Sequence, residues 1–120
     1  MKKVLVITDN LELLSMVAND LVGVGYDVEV SQSPPQVLHS LETRDYDSVI
    51  SDVDSGNLDG MDIARIAVGL QRRIRVILVS ARRIQTDLRK FPCLKMPIRK
   101  SKLLKMLQSN PLQAERASDR

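Results

Sequence analysis

Four short stretches of the chain place oxygen-bearing or cationic side chains directly after apolar, β-branched runs. Thr8, Asp9 and Asn10 follow Val4-Leu5-Val6-Ile7, and Asp52 and Asp54 follow the run at residues 47–51. Ser80 and Ala81 follow residues 75–79, while Lys95, Met96 and Pro97 close a weaker run that starts at Cys93. If those runs are parallel strands of one sheet, ligands should sit beyond their carboxyl ends, where the strand order reverses. Carboxylates from different strands converging on one crevice would repel unless a cation lay between them, and their hard oxygens suit magnesium. A hydroxyl at Ser80 and a nearby lysine would bind oxygens of a transferred phosphoryl group. A carboxylate beside a divalent cation is a competent phosphoryl acceptor, because the metal shields like-charge approach and orients in-line attack.

Each of these residues also has a plainer reading. Asp52 would then be a loop aspartate capping the third helix, and Asp9 the N-cap of the first. Ser80 would be a satisfied strand-end hydroxyl, and Cys93 a small buried hydrophobe rather than a reactive thiol.

Composition narrows the classes. A chain of 120 residues with 43% hydrophobic and 28% charged residues suits one globular domain with a real core. Only Tyr26, Tyr46 and Phe91 are aromatic, which argues against stacking-based binding of single-stranded nucleic acid. The net charge of +3 is mild, and no nucleic-acid partner is expected from it. Cys93 is the only cysteine and His39 the only histidine. An intrachain disulfide is therefore impossible, as are cysteine-based zinc sites and His-pair metal sites, and a Ser-His-Asp triad is improbable. No apolar run approaches the roughly 18 residues that span a bilayer, and no signal-peptide pattern opens the sequence, so the expected location is cytoplasmic.

The elements follow from periodicity. Val4 to Ile7 reads as a strand buried on both faces. Leu14, Val17, Ala18 and Leu21 recur at helical spacing, with Gly23 and Gly25 closing that helix. Residues 27–31 alternate like an edge strand. Pro34 and Pro35 suit the first turn of a second helix, with Ser33 as N-cap and Val37, Leu38 and Leu41 facing inward. A third strand at 47–51 runs into an acidic loop at 52–60. Met61, Ile63, Ala64, Ile66, Ala67 and Leu70 form the apolar set of a third helix. A strand at 75–79 precedes a short, arginine-rich fourth helical segment at 82–90. A weak fifth strand at 93–96 leads to a last helix, capped by Ser101 and carrying Leu103, Leu104, Met106 and Leu107. This alternation implies an α/β fold with a parallel sheet covered by helices on both faces.

In this order and at this edge, the motifs resemble the receiver domains of bacterial response regulators and hybrid histidine kinases, from residue 3 to about 107. Asp52-Val-Asp-Ser-Gly-Asn-Leu-Asp59-Gly60 carries the family spacing of seven residues from acceptor aspartate to Asp-Gly. The opening VLVITDN, the strand ending VILVSA and the junction MPIRKSKLLKML are similar to the family's other signatures. The resemblance implies a flavodoxin-like (βα)5 three-layer sandwich with strand order 2-1-3-4-5. It implies a receiver domain over residues 1–109, with 110–120 as a tail or linker. It implies that the chain is not an enzyme in its own right. By the same resemblance, Asp52 would accept a phosphoryl group from a phosphohistidine or a small phosphodonor. Mg2+ would be held by Asp9, Asp52 and the backbone carbonyl of Asp54. Ser80 would contact the phosphoryl oxygen and relay its presence, and Lys95 would be a further phosphoryl contact. A histidine kinase or phosphotransfer protein would be the donor. A downstream protein would dock on the basic face made by the fourth helical segment, strand five and the last helix.

Several positions depart from the family pattern. Thr8 stands where the first member of an acidic pair is expected, which removes one charge from the metal site and weakens it. The Asp54 carboxylate would compensate in part if it turned inward. Gly56 replaces a proline in the loop. Met96 rather than lysine precedes Pro97, and a one-residue shift turns Lys95 to the opposite face of the strand. Pro92 or Cys93 falls where an aromatic switch residue is expected. The alternative reading is thus a degenerate receiver working as a phosphorylation-independent interaction module. A haloacid-dehalogenase-type phosphatase, suggested by Asp52-Val53-Asp54, would need a downstream lysine and acidic pair in a longer chain. A flavin-binding flavodoxin would need a phosphate loop after strand one and aromatics to sandwich the flavin.

Overall fold

In the computed structural model, residues 2–54, 59–81 and 91–108 are described, with Met61 described in its backbone only. The order of elements is β1 (Lys3–Ile7), α1 (Leu11–Gly23), β2 (Asp27–Ser31), α2 (Pro34–Thr43), β3 (Ser48–Asp52), α3 (Gly60–Leu70), β4 (Arg75–Ser80), β5 (Cys93–Lys95) and α4 (Lys100–Gln108). The expected helical segment at 82–90, the loop around Gly56 and the tail from 110 lie outside the described residues.

All five strands pair in parallel in the order β2-β1-β3-β4-β5, so the expected flavodoxin-like order is the one found. Alternation along the strands divides the core in two. Leu5, Ile7 and Val49 face α2 and α3, packing on Val37, Leu41, Ile63, Ala64 and Ala67. Val4, Val6 and Ile50 face α1 and α4, packing on Leu13, Val17, Leu21, Leu103 and Leu107. Each fully buried Leu or Val contributes about 1.5–3 kcal/mol of transfer free energy, which holds the central strands and their carboxyl ends in fixed register.

Local chemistry sets the helix ends. Ser33 Oγ accepts from the Gln36 N–H, with Pro34 and Pro35 in the first turn, as expected. Gly25, at φ +95°, makes the turn after α1 in a conformation that side-chain-bearing residues avoid.

The inner faces are narrower than the apolar sets suggested. In α2, Val37 and Leu41 are buried at i, i+4 while Leu38 is exposed, one position (about 100°) round the helix. In α3, Ile63, Ala64 and Ala67 point inward, and Ile66 and Leu70 are exposed. In α1 it is Leu13, not Leu14, that is fully buried beside Val17 and Leu21. Ser101 lies inside α4 rather than capping it; the first turn closes onto the Arg99 carbonyl, which accepts from the Leu103 N–H at 3.0 Å.

Candidate functional site

The carboxyl ends of β1, β3 and β4 meet because β1 and β4 flank β3 directly. Asp52 is the last residue of β3, in register with Val79, rather than the first residue of a loop. It is 3% exposed, and such a carboxylate needs hydrogen bonds to both oxygens. It has them. The Thr8 hydroxyl donates to Oδ2 at 2.7 Å, and the Asp54 N–H donates to Oδ1 at 2.9 Å. Thr8, itself 0% exposed, accepts in turn from the Asn10 N–H at 3.0 Å. The hydroxyl that removes a charge from this edge is therefore the group that orients the acidic one.

Asp9 follows Thr8 after the carboxyl end of β1 and is exposed. It does not cap α1; that role belongs to Asn10, whose Oδ1 accepts from the N–H groups of Glu12 and Leu13. Likewise Asp52 does not cap α3. Asp59 does so, its Oδ1 accepting from the Asp62 N–H at 3.2 Å and its carbonyl from the Ile63 N–H at 3.0 Å. The plainer readings of Asp9 and Asp52 as helix caps are thereby removed.

Gly60 explains the Asp-Gly pair physically. A Cβ at position 60 would lie 2.8 Å from the Asp52 carbonyl oxygen and 2.8 Å from Val53 Cα. Only glycine lets α3 begin against the backbone that carries Asp52. The Gly60 carbonyl also accepts from the buried Ser51 hydroxyl at 3.2 Å.

Ser80 ends β4 and is 1% exposed. Its hydroxyl donates to the Asp54 carboxylate, at 3.0 Å to Oδ2 and 3.2 Å to Oδ1, and the Ala81 N–H donates to the same Oδ2 at 2.7 Å. The Asp54 side chain thus turns toward β4, where the Ser80 hydroxyl and the Ala81 N–H hold it. Burial first, and then the charge of Asp54, push the Cys93 thiol up; the cysteine is half-buried and packs against the α2–α3 side of the core.

Lys95 pairs in register with Ser80, and its side chain is exposed. Met96, next in line, is half-buried against the α1–α4 side of the core and is joined to Pro97 by a cis peptide bond. Among the described residues, no group of three or more His, Cys, Asp or Glu side chains gathers as a metal cluster. The Thr8–Asp52 bond and the Asp54–Ser80–Ala81 contacts were missed in the sequence. The one signal for the second was a carboxylate two residues beyond β3, opposite a Ser-Ala pair at the end of β4.

Comparison with known proteins agrees with this architecture. The sequence profile of the response regulator receiver domain matches residues 4–108, and the chain belongs to that family. Among curated proteins none matches the chain in sequence. Solved structures do match. A CheY-like receiver domain protein from Methanospirillum hungatei JF-1 is similar with a TM-score of 0.81 at 17% identity, covering 97% of this chain and 98% of that one. A response regulator from Burkholderia pseudomallei, solved with a phosphorylated aspartic acid, calcium ion and citrate, gives 0.79 at 23% identity over 100% and 75% of the two chains. The receiver domain of a sensor histidine kinase from Pseudomonas aeruginosa PAO1 has magnesium coordinated in its active-site cleft. It gives 0.75 at 25% identity over 89% and 94%. Receiver domains are modules of two-component signalling, and that is the class of this chain.

Proposed function

We propose that Asp52 accepts a phosphoryl group and that the domain passes this signal on through protein contacts. The observation that carries the reading is a buried carboxylate at the carboxyl end of the central strand, held by two donors. One Asp52 oxygen attacks the phosphorus of a phosphohistidine. An O–P bond forms, the P–N bond breaks, and its electron pair leaves with the imidazole nitrogen. Donors already directed at the carboxylate pre-orient it for in-line approach.

The donor set suits magnesium by its chemistry. Asp9, Asp52 and the Asp54 carbonyl are hard oxygen ligands, although Thr8 supplies a hydroxyl where a further carboxylate would add charge. When bound there, Mg2+ would neutralise charge on the incoming phosphoryl group and the acceptor. Lys95 is exposed and one residue short of the position before Pro97, so it would reach the phosphoryl oxygens only if the end of β5 bulged.

The donor is a histidine kinase or phosphotransfer protein, and the chain works in the cytoplasm, as part of a hybrid kinase or as a regulator by itself. Exposed Arg72, Arg73, Arg99, Lys100, Lys102 and Lys105 offer an acidic partner a basic surface. Incubation with Mg2+ and acetyl phosphate tests the acceptor: the intact mass should rise by one phosphoryl group, and Asp52→Ala should abolish the gain. An unchanged mass at millimolar Mg2+ would overturn it in favour of a phosphorylation-independent module.

A further inference from the structure

The two donors at the end of β4, the Ser80 hydroxyl and the Ala81 N–H, already hold an anion, and the chain itself supplies it. Asp54 is tied to the acceptor through its backbone, its N–H donating to Asp52 Oδ1, while its carboxylate reaches across to β4. A phosphoryl group on Asp52 would bring acceptor oxygens and negative charge to the same place. Hydrogen bonds from a hydroxyl and a backbone N–H to an ionised carboxylate are of the stronger, charge-assisted kind. Ser80 is almost wholly buried, and its own carbonyl accepts from the Met96 N–H at 2.8 Å, so its backbone is fixed by β5. Its hydroxyl carries one proton and cannot serve Asp54 and a phosphoryl oxygen fully at once.

Resting on the acceptor reading of Asp52, we propose that the Asp54 carboxylate is an internal surrogate for the phosphoryl group. In the unmodified protein it occupies the Ser80 and Ala81 donors, and phosphorylation of Asp52 must displace it. The displaced carboxylate stays in the same short turn, so its charge continues to oppose the phosphoryl group. Asp54 therefore raises the threshold for phosphorylation, and it holds Ser80 engaged before any phosphate arrives.

Beryllofluoride, which binds an aspartate as a phosphoryl analogue, tests this in the full chain at saturating Mg2+, with amide NMR shifts as the readout. Asp54→Ala should tighten beryllofluoride binding by about tenfold, the scale of one charge-assisted contact set no longer competing. Asp54→Asn, which keeps the shape and loses the charge, should fall between Asp54→Ala and the parent. The Ala81 amide resonance of the ligand-free protein should move in Asp54→Ala, since its acceptor is gone. Equal or weaker binding by Asp54→Ala would overturn the proposal while leaving Asp52 as acceptor. Binding by none of the three proteins would overturn the acceptor reading, and this inference with it.

Discussion

Thr8 illustrates how one uncharged side chain can set the properties of a charged one. Its hydroxyl spends its proton on Asp52 and takes the Asn10 N–H in return, so both partners of the buried pair are satisfied. Thr8→Val keeps the volume and removes the donor, leaving Asp52 Oδ2 without it. The expected cost is about 1–3 kcal/mol, read as a lower urea midpoint at an unchanged slope. Thr8→Asp should strengthen metal binding. It adds a carboxylate beside Asp52, so Mg2+ affinity should rise roughly tenfold with the added ligand charge. In the absence of metal the two carboxylates repel, and stability should become Mg2+-dependent. A Mg2+ titration followed by calorimetry, with thermal melts with and without Mg2+, would show whether both effects occur together.

Elements position these residues through close backbone approach and a few polar ties. Gly60 allows α3 to start against Asp52 and Val53, where any Cβ would meet main chain rather than a flexible side chain. Gly60→Ala should therefore cost about 1–3 kcal/mol through forced backbone movement and should slow phosphorylation of Asp52. Denaturation and the rate of mass gain measure the two parts separately.

At the other end of the sheet, Glu29 in β2 accepts from the Tyr46 hydroxyl and from Arg44, and pairs with Lys3 at 3.6 Å. Burial works to raise its carboxyl, but these hydrogen bonds and charges outweigh it and hold Glu29 below the ordinary glutamate value. A depressed folded-state value contributes stability above the ordinary value and loses it as pH falls through the folded one. Tyr46→Phe removes one of the causes. Its destabilisation should be full near neutral pH and should shrink as the solution is acidified below the ordinary glutamate range, which urea melts at several pH values would check.

The strands were legible because apolar β-branched runs alternated with helical periodicity, their order in the sheet came from the resemblance to receiver domains, and Ser33-Pro34-Pro35 marked a helix start. Which apolar side chains lie inward was less so: Leu38 and Ile66 sit one position off the buried stripe, a rotation that depends on how each helix settles on the sheet, and Leu70 lies on the stripe but is exposed at the last residue of α3. The position of Asp52 was readable from its spacing to Asp59-Gly60. The direction of the Asp54 side chain was not, because it depends on donors contributed by β4, far away in sequence.

For the molecule as a whole, Arg72, Arg73, Arg99, Lys100, Lys102 and Lys105 are exposed basic side chains. The exposed basic side chains of α4 and the turn before β4 need no partner for stability, so Lys102→Glu with Lys105→Glu should change it by no more than about 0.5 kcal/mol. Binding to an acidic partner should weaken with these changes and with added salt, since exposed charges are screened beyond about 8–10 Å at ordinary ionic strength. A partner whose affinity is indifferent to both would have to bind elsewhere.

The most direct test is chemical mapping of the modified residue. After incubation with Mg2+ and a phosphodonor, borohydride reduction converts an aspartyl phosphate to homoserine, and tandem mass spectrometry locates it. The expected result is homoserine at position 52 and nowhere else. Homoserine at Asp9, Asp54 or Asp59 instead, or no conversion at any aspartate, would contradict the assignment.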